Sequence, residues 1–284
     1  MPRKLKHQSF RGLCALCAVG SCGILAFIVW AIWQRGWPAL SWQFFTEQIR
    51  LVGASGGIFY NLLGTGILLS TAFLTSSPLA LGLALLHSVY LSHSRHRQKL
   101  ALCLYLLNGV PSILFGIFGM IVFVHWFGWG KSWLSGGLLL GFMILPTVTV
   151  ALMERISAIP EKYLHAAAAL GLKPSRIIRS VILPQSLGGM VTGSLIGLAR
   201  AAGETAPIMF TATIFAGATL PHGIRESPVL SLPYHIFILA QDSFDPAVGG
   251  KLWGAALTLL LLVMLLSLMA LPARLKFHEE AHHG

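Results

Sequence analysis

Charged residues are scarce in this chain of 284 residues. Asp, Glu, Lys and Arg make up 10% of it, whereas a soluble domain usually contains about 25%. Hydrophobic residues make up 55%, which suits a bilayer, since each spanning helix takes roughly 20 mostly apolar residues. The composition argues against soluble domains and predicts an all-α polytopic membrane protein of about six transmembrane helices.

Acidic residues are rarer still, with nine against twenty basic residues and a formal net charge of +11. In a soluble protein this excess would suggest nucleic acid. No basic stripe lies on a polar, soluble-looking segment here, so we expect lipids and no nucleic acid. The excess instead fits the bias of Lys and Arg toward cytoplasmic loops.

Cysteine is also scarce, with Cys14, Cys17, Cys22 and Cys103. Cys14-x-x-Cys17 resembles a redox or zinc half-motif, but no second pair follows it. Within a spanning helix a cysteine usually acts as a small apolar residue. The sequence therefore implies neither a disulfide framework nor a zinc site.

Recognisable catalytic and cofactor motifs are absent. Gly130-Lys131-Ser132 resembles the end of a Walker A loop, but His125 stands where the full pattern needs a Gly. No nucleophile and base stand out, and we expect no metal, no cofactor and no enzyme activity in this chain. The histidines near span ends or in loops form no pair suited to haem: His87, His125, His222 and His235.

Six apolar stretches predict six spans, and the first exceeds the 7–15 residue core of a signal peptide, so we expect it to be retained. The second is predicted to be one long helix kinked at Pro78. The third is interrupted at 108–112, where the backbone should be buried in protein or line a cavity. The stretches are about 12–33, 58–91, 100–128, 134–153, 187–216 and 252–271.

The loops between these stretches differ in charge. Fourteen of the twenty Lys and Arg residues lie at the two termini and in the segments 93–99 and 154–185. Five lie in the other loops, and Arg200 lies inside a span. The asymmetry predicts a multi-pass protein of the bacterial inner membrane with both termini in the cytoplasm.

The polar segment 154–185 is predicted to form a helix, a turn and a second helix on the cytoplasmic face. Pro160 can open the first helix, and the following Ala-rich run favours helix. Gly171 fits a helix C-terminal cap. Pro174 is predicted to start the second helix, which should end near Pro184.

This segment resembles the EAA loop of ABC importer permeases, with Val181 for the family's Ile. That pattern is Glu-Ala-Ala, then Gly, then Ile-x-Leu-Pro, and here His165 stands for the Glu. The resemblance implies a coupling helix that docks on a separate ATPase subunit, while a solvated amphipathic loop is the alternative. The implied coupling residues are His165, Ala166, Ala167, Gly171, Leu183 and Pro184.

The fifth stretch carries two charges, Arg200 and Glu204. They are four residues apart, which would put them on one face of a helix. Charges at bilayer depth are costly and usually face a protein interior or a water path. The pair is therefore a hypothesis for a functional site, with a structural ion pair as an alternative that does not exclude it.

The run Arg200-Ala-Ala-Gly-Glu-Thr-Ala-Pro207 is similar to a segment of the phosphate-specific permeases of the PstA and PstC type. Further matches favour PstA, and the resemblance extends from about residue 58 to the end. These matches are Gly109-Val-Pro-Ser-Ile113 with Phe115-Gly116, Ile144-Leu-Pro146, Ser231-Leu-Pro233 and Trp253-Gly-Ala-Ala-Leu257. The substrate-path residues that it implies are Arg200, Glu204, Thr205, Pro207, Pro111 and Ser112.

The resemblance implies the MetI-like fold of type I ABC importer permeases. Residues 1–57 would form the N-terminal tail, first helix and outer loop, and 58–284 the permease core. The implied partners are a homologous permease of the PstC type, two ATPase subunits of the PstB type that bind ATP and Mg, and a phosphate-binding protein of the PstS type.

An arginine suits a phosphate path, because its planar fork matches phosphate oxygens. A permeating ion must also leave, so binding should be weak, and Glu204 would partly neutralise Arg200. The alternatives are a permease for another oxyanion (sulfate, molybdate or phosphonate), a membrane anchor subunit of an oxidoreductase, and a passive channel.

Overall fold

The structure is a computed structural model that describes residues 2–50, 55–91, 94–214, 220–241 and 246–282. Helices dominate these residues, as the composition predicts. Two short strands, β1 (Ile49–Arg50) and β2 (Ser55–Gly56), pair antiparallel. The α-helices are α1 (Pro2–Gly36), α2 (Trp42–Thr46), α3 (Phe59–Leu85), α4 (His96–Asn108), α5 (Ser112–Gly119), α6 (Trp133–Ser157), α7 (Glu161–Ala169), α8 (Pro174–Ile177), α9 (Leu183–Ala202), α10 (Ala206–Thr211), α11 (Leu232–Gln241) and α12 (Pro246–His282).

Five helical segments are long and apolar enough to cross a membrane, and a sixth span results if the bent pair α4–α5 counts as one. This agrees with the prediction of about six spans. The five segments are Phe10–Ala39, Phe59–Tyr90, Trp133–Ser157, Pro174–Ala202 and Val248–Pro272.

Wider π-helical turns extend several helices. Leu86–Tyr90 continues α3, Met120–Trp126 continues α5, and Ile178–Ile182 joins α8 to α9. The second apolar stretch is therefore one long helix, as predicted, and Pro78 lies inside it.

The centre of the fold is α6, which packs between α3 and α9. The helices approach closely because glycines face them: a Cβ added at Gly137 would lie 2.5 Å from Cβ of Thr71. Likewise, a Cβ at Gly193 would lie 2.8 Å from Cβ of Ala151. Small residues allow such close packing in membranes, where helix association depends on van der Waals contact.

The first span lies at the edge of this core. Helix α1 contacts α12, where the Arg35 guanidinium lies over the Trp253 ring at 4.8 Å. Gly36 faces the Trp253 carbonyl oxygen, leaving no room for a side chain. Most large apolar side chains from Phe10 onward along α1 are exposed, as expected for a surface that meets lipid or another chain.

The prediction that the helix starting at Pro174 ends near Pro184 is wrong. The segment Pro174–Ala202 is one span, and Pro184 lies in the first turn of α9. A proline costs most where a regular helix needs its missing N–H. Here the π-helical turn just before it already interrupts the regular bonding pattern.

The predicted limits of the fifth span are also wrong. Helix α9 ends at Ala202, Gly203 follows as its C-cap, and α10 begins at Ala206. The segment 217–251 lies between the predicted fifth and sixth spans and was expected to be a polar loop. It contains α11, of which Leu232, Pro233, His235 and Leu239 are buried. The Leu232 N–H donates to Oγ1 of Thr65 at 2.9 Å, and Nδ2 of Asn61 donates to the Ser231 carbonyl at 3.5 Å, so α11 is held on α3.

Candidate substrate path and coupling segment

The third span breaks where the sequence predicts it. Helix α4 ends at Asn108, Pro111 is the N-cap of α5, and the two helices bend by 93°. The cause is local, because Pro111 lacks an N–H and disfavours helix at the residue before it. Pro111 is exposed in the isolated chain, so the chain itself does not bury this break, and the alternative that the break lines a cavity stays a prediction.

The fifth span breaks in a similar way at Gly203-Glu204-Thr205, between α9 and α10. Glu204 is thus outside the helix that carries Arg200, and the expectation of one continuous helical face is wrong. The two side chains still pair, with Nε of Arg200 3.8 Å from Oε1 of Glu204. Pro207 is buried in the first turn of α10, a position that needs no N–H from it.

Asn108 joins the two breaks. Nη1 of Arg200 donates to Oδ1 of Asn108 at 2.8 Å, and Oγ1 of Thr147 donates to the same oxygen at 3.2 Å. Three spans therefore meet at this oxygen. The sequence analysis did not select Asn108, although a lone amide just before Gly-Val-Pro in an apolar stretch is a signal.

The two short helices beyond the breaks pack on each other. A Cβ added at Gly116 of α5 would lie 2.8 Å from the Phe210 ring and 3.1 Å from the Ala206 carbonyl oxygen. Gly119 faces Leu139 and Thr211 in the same way. The breaks and their short helices thus form one unit, which we call the broken-helix face (residues 108–119 and 200–211).

Lys131 holds the far end of this unit. Its ammonium donates to the carbonyl oxygens of Met209 at 3.0 Å and Thr213 at 3.3 Å. The Ser132 N–H donates to the Thr211 carbonyl at 3.0 Å. A cation suits the C-terminal end of a helix, where carbonyl groups lack partners. The Lys-Ser pair that resembles a nucleotide loop thus caps α10.

The predicted path residues lie at both breaks. Arg200, Glu204, Thr205 and Pro207 form one group, and Pro111 and Ser112 lie at the other break. Among the described residues, Asn108 makes the side-chain hydrogen bond that reaches the first group, at Arg200. The side chain of Arg200 is 36% exposed and that of Glu204 is 17% exposed, so this charged pair is only partly covered by the chain. Since such charges are costly in lipid, they should face a water path or another chain.

The predicted coupling segment forms α7 and a turn. Leu164 and Ala167 pack on the core, while His165 and Ala166 are exposed. Gly171 has φ +72°, and the Leu172 N–H donates to the Ala167 carbonyl at 3.2 Å, which agrees with a glycine cap.

The remaining coupling residues lie elsewhere. Leu183 and Pro184 begin α9 rather than end a separate loop helix. Nε2 of His165 lies 3.9 Å from Oε2 of Glu161, and both side chains are more than four-fifths exposed, so this contact adds little to stability. Leu170, just after α7, is 80% exposed. The segment therefore presents an exposed surface that contains both apolar and polar side chains.

These features define a membrane permease. A family model described as "Binding-protein-dependent transport system inner membrane component" matches residues 76–274. The chain belongs to this family. It can be aligned over 80% of its length with a solved structure, "Inward facing conformations of the MetNI methionine ABC transporter: CY5 native crystal form", with a TM-score of 0.54, 16% identity and 96% of that chain covered. At this identity the likeness supports the fold, and it confirms the predicted MetI-like fold.

Similar proteins indicate which type of permease within this family the chain resembles. The "Phosphate transport system permease protein PstA" of Pasteurella multocida is 28% identical over 276 residues, covering 94% of each chain. The protein of the same name from Xylella fastidiosa is 30% identical over 239 residues, 84% of this chain and 81% of its own length. The "Probable ABC transporter permease protein YqgI" of Bacillus subtilis is 29% identical over 221 residues, covering 78% and 74%. The predicted resemblance to PstA-type permeases is confirmed.

Proposed function

We propose that this chain is the transmembrane permease subunit of an ATP-driven importer of inorganic phosphate. One observation carries the proposal: Arg200 is held between Asn108 and Glu204 at the point where two broken spans meet. The names of the PstA relatives support phosphate as the substrate.

The geometry suits a permeating oxyanion. One guanidinium edge of Arg200 bonds Asn108 and its Nε faces Glu204, which leaves other N–H donors for phosphate oxygens. Glu204 reduces the local positive charge, so the anion can be attracted without being trapped. Thr205, Pro207, Pro111 and Ser112 would line the path beside this pair.

A second permease would complete the path. The charged and amide groups of the broken-helix face are partly exposed in the isolated chain. The apolar residues Ile113 and Phe118 within this face and Leu106 beside it are also exposed. Helices with such faces need a partner or lipid. We assign this face to a homologous permease of the PstC type, with 58–284 as the permease core and 1–57 as a peripheral N-terminal part.

Coupling to ATP hydrolysis would use α7 and its turn. His165, Ala166, Ala167 and Gly171 would form the contact with a PstB-type ATPase subunit, and the exposed Leu170 would contribute apolar surface. Leu183 and Pro184 would pass the movement directly into α9, which carries Arg200 at its other end. ATP and Mg would be bound by the ATPase subunits, so this chain would not itself be an enzyme.

The charge asymmetry of the loops supports one orientation of the chain in the membrane. Both termini and α7 would lie in the cytoplasm of a bacterial cell. The β1–β2 hairpin and α11 would face outward, toward a PstS-type phosphate-binding protein. Alternating exposure of the path to the two sides would then follow closure of the ATPase subunits.

Uptake of labelled phosphate tests this proposal. Cells that lack their own phosphate importer would receive this chain with its neighbouring transporter subunits, and sulfate, molybdate or phosphonate would be added in excess. We expect ATP-dependent uptake that unlabelled phosphate reduces and the other anions do not. Uptake of another oxyanion in place of phosphate by an assembled complex would refute phosphate import and leave the permease fold intact. Uptake without ATP would refute the ABC mechanism.

A further inference from the structure

The orientation of the Asn108 amide is determined by its neighbours. A guanidinium group has hydrogen-bond donors and no acceptor. The Asn108 atom that lies 2.8 Å from Nη1 of Arg200 must therefore be the carbonyl oxygen, Oδ1. Oγ1 of Thr147 donates to the same oxygen. The arrangement fixes which end of the amide points toward Arg200, although amide ends are often hard to tell apart.

This orientation leaves the other end of the amide available. Nδ2 carries two N–H donors that make no hydrogen bond to another described residue, and Asn108 as a whole is exposed. Donors without partners are costly inside a bilayer. They must therefore meet water, a second chain or a permeating ligand at this point.

The surroundings favour a ligand that is an anion. The nearest side-chain bond is to a cation, Arg200, whose own unused donors lie beside the Asn108 amide. The oxygens of an oxyanion can accept from both groups at once, and hydrogen bonds to a charged group are the strong ones. A neutral solute or a cation would gain no comparable interaction from these two sets of donors.

We propose that Asn108 contacts the transported phosphate directly: its N–H groups donate to a phosphate oxygen while its carbonyl oxygen orients Arg200. This rests on phosphate import as the proposed function. Asn108 would then be a residue of the binding site at the break between α4 and α5. The competing explanation is that Asn108 only positions Arg200.

The substitution Asn108→Asp separates the two explanations. Aspartate has nearly the same shape and keeps an oxygen that accepts from both Arg200 and Thr147. It replaces the N–H donors with a second, negatively charged oxygen, which repels phosphate. A residue that only positions Arg200 would be affected through the added charge alone, because the carboxylate holds a guanidinium at least as well as an amide does. Thr147→Asp is therefore the control for charge, since it brings a carboxylate beside the same position and keeps the Asn108 N–H donors.

The experiment measures labelled phosphate uptake by the reconstituted transporter with wild-type chain, Asn108→Asp, Thr147→Asp and Thr147→Val. We expect Asn108→Asp to lower uptake about 10- to 100-fold, the range for hydrogen bonds to a charged group. Thr147→Val removes one bond to Oδ1 and leaves the N–H donors, so it should lower uptake by no more than about threefold. Equal amounts of assembled complex would be compared.

Each outcome decides the proposal. Wild-type uptake of phosphate together with unchanged uptake by Asn108→Asp, or with an equal loss in Asn108→Asp and Thr147→Asp, would refute the contact and leave the proposed function standing. If the wild-type complex transports no phosphate, both fail together. If Asn108→Asp does not assemble, Asn108→Leu, which suits an apolar helix end, takes its place, and uptake near the wild-type level by that variant would refute the contact.

Discussion

The centre of the molecule and its broken-helix face are built in opposite ways. Where α6 meets α3 and α9, glycines bring the helices together and most side chains are buried. At the broken-helix face the helices stop in mid-span, and a charged pair and an amide are left partly exposed. The comparison indicates that the two regions have different roles: the closely packed helices form a scaffold, and this scaffold positions polar groups where a path can form.

The largest expected effect is on the scaffold. Gly137→Leu would force atoms into the space that Cβ and Cγ2 of Thr71 occupy, each 2.5 Å from the position of a Cβ. We expect a loss of about 3 kcal/mol in the free energy of unfolding and little assembled transporter, measured as the amount of purified complex. Gly82→Leu is the matched control in α3, because nothing lies within 4 Å of a Cβ there. Normal assembly of Gly137→Leu would contradict the role given to this contact.

A second prediction concerns buried polar groups away from the path. Burial lowers the pKa of His235, in α11, from 6.5 to about 4. Between these values the unfolded chain binds a proton that the folded chain lacks, so stability should fall as the pH drops through this window. We expect a loss of roughly 2 kcal/mol between pH 7 and pH 5.

Thermal unfolding of the purified complex at pH 7 and pH 5 measures this effect. His235→Gln should remove the part of the pH dependence that His235 causes, whereas His222→Gln, at an exposed position, should leave it unchanged. An identical pH profile for His235→Gln and wild type would show that the burial of His235 has no such consequence.

The smallest effect is expected from Lys131. Lys131→Met keeps the length of the side chain but removes the cation from the end of α10, which is worth about 0.3–1 kcal/mol. We expect phosphate uptake to fall about two- to fivefold, with Lys131→Arg close to wild type. Lys251→Met is the comparison at a lysine away from the broken-helix face, since Lys251 donates to the Gly56 carbonyl at 2.7 Å. It should lower thermal stability and leave uptake unchanged, and the reverse pattern would contradict the division between the two regions.

Local chemistry explains which parts of this fold the sequence predicts. The break after Asn108 could be predicted because Gly109 and Pro111 act on their own neighbours. The cap at Gly171 depends on its own backbone and was also predicted. The break at Gly203 was missed although Gly203 and Pro207 offer comparable local signals, since a proline inside an apolar stretch favours a new helix start.

The contact between Arg200 and Asn108 joins residues 92 positions apart in the chain. No periodicity or local propensity describes such a pair, and the sequence therefore indicated Arg200 and Glu204 without their partner. The buried helix α11 was missed for a related reason. Its residues lie in a stretch with polar ends, and its burial depends on α3, about 170 residues earlier.

The most direct test of the account is phosphate uptake after Arg200→Ala, in a transporter shown to assemble in normal amounts. Arg11→Ala, at an exposed arginine of α1, is the control. If Arg200 serves the phosphate path, uptake should fall at least about tenfold, and the control should match wild type. Unchanged uptake by the Arg200→Ala transporter would contradict the claim that the broken-helix face carries the substrate.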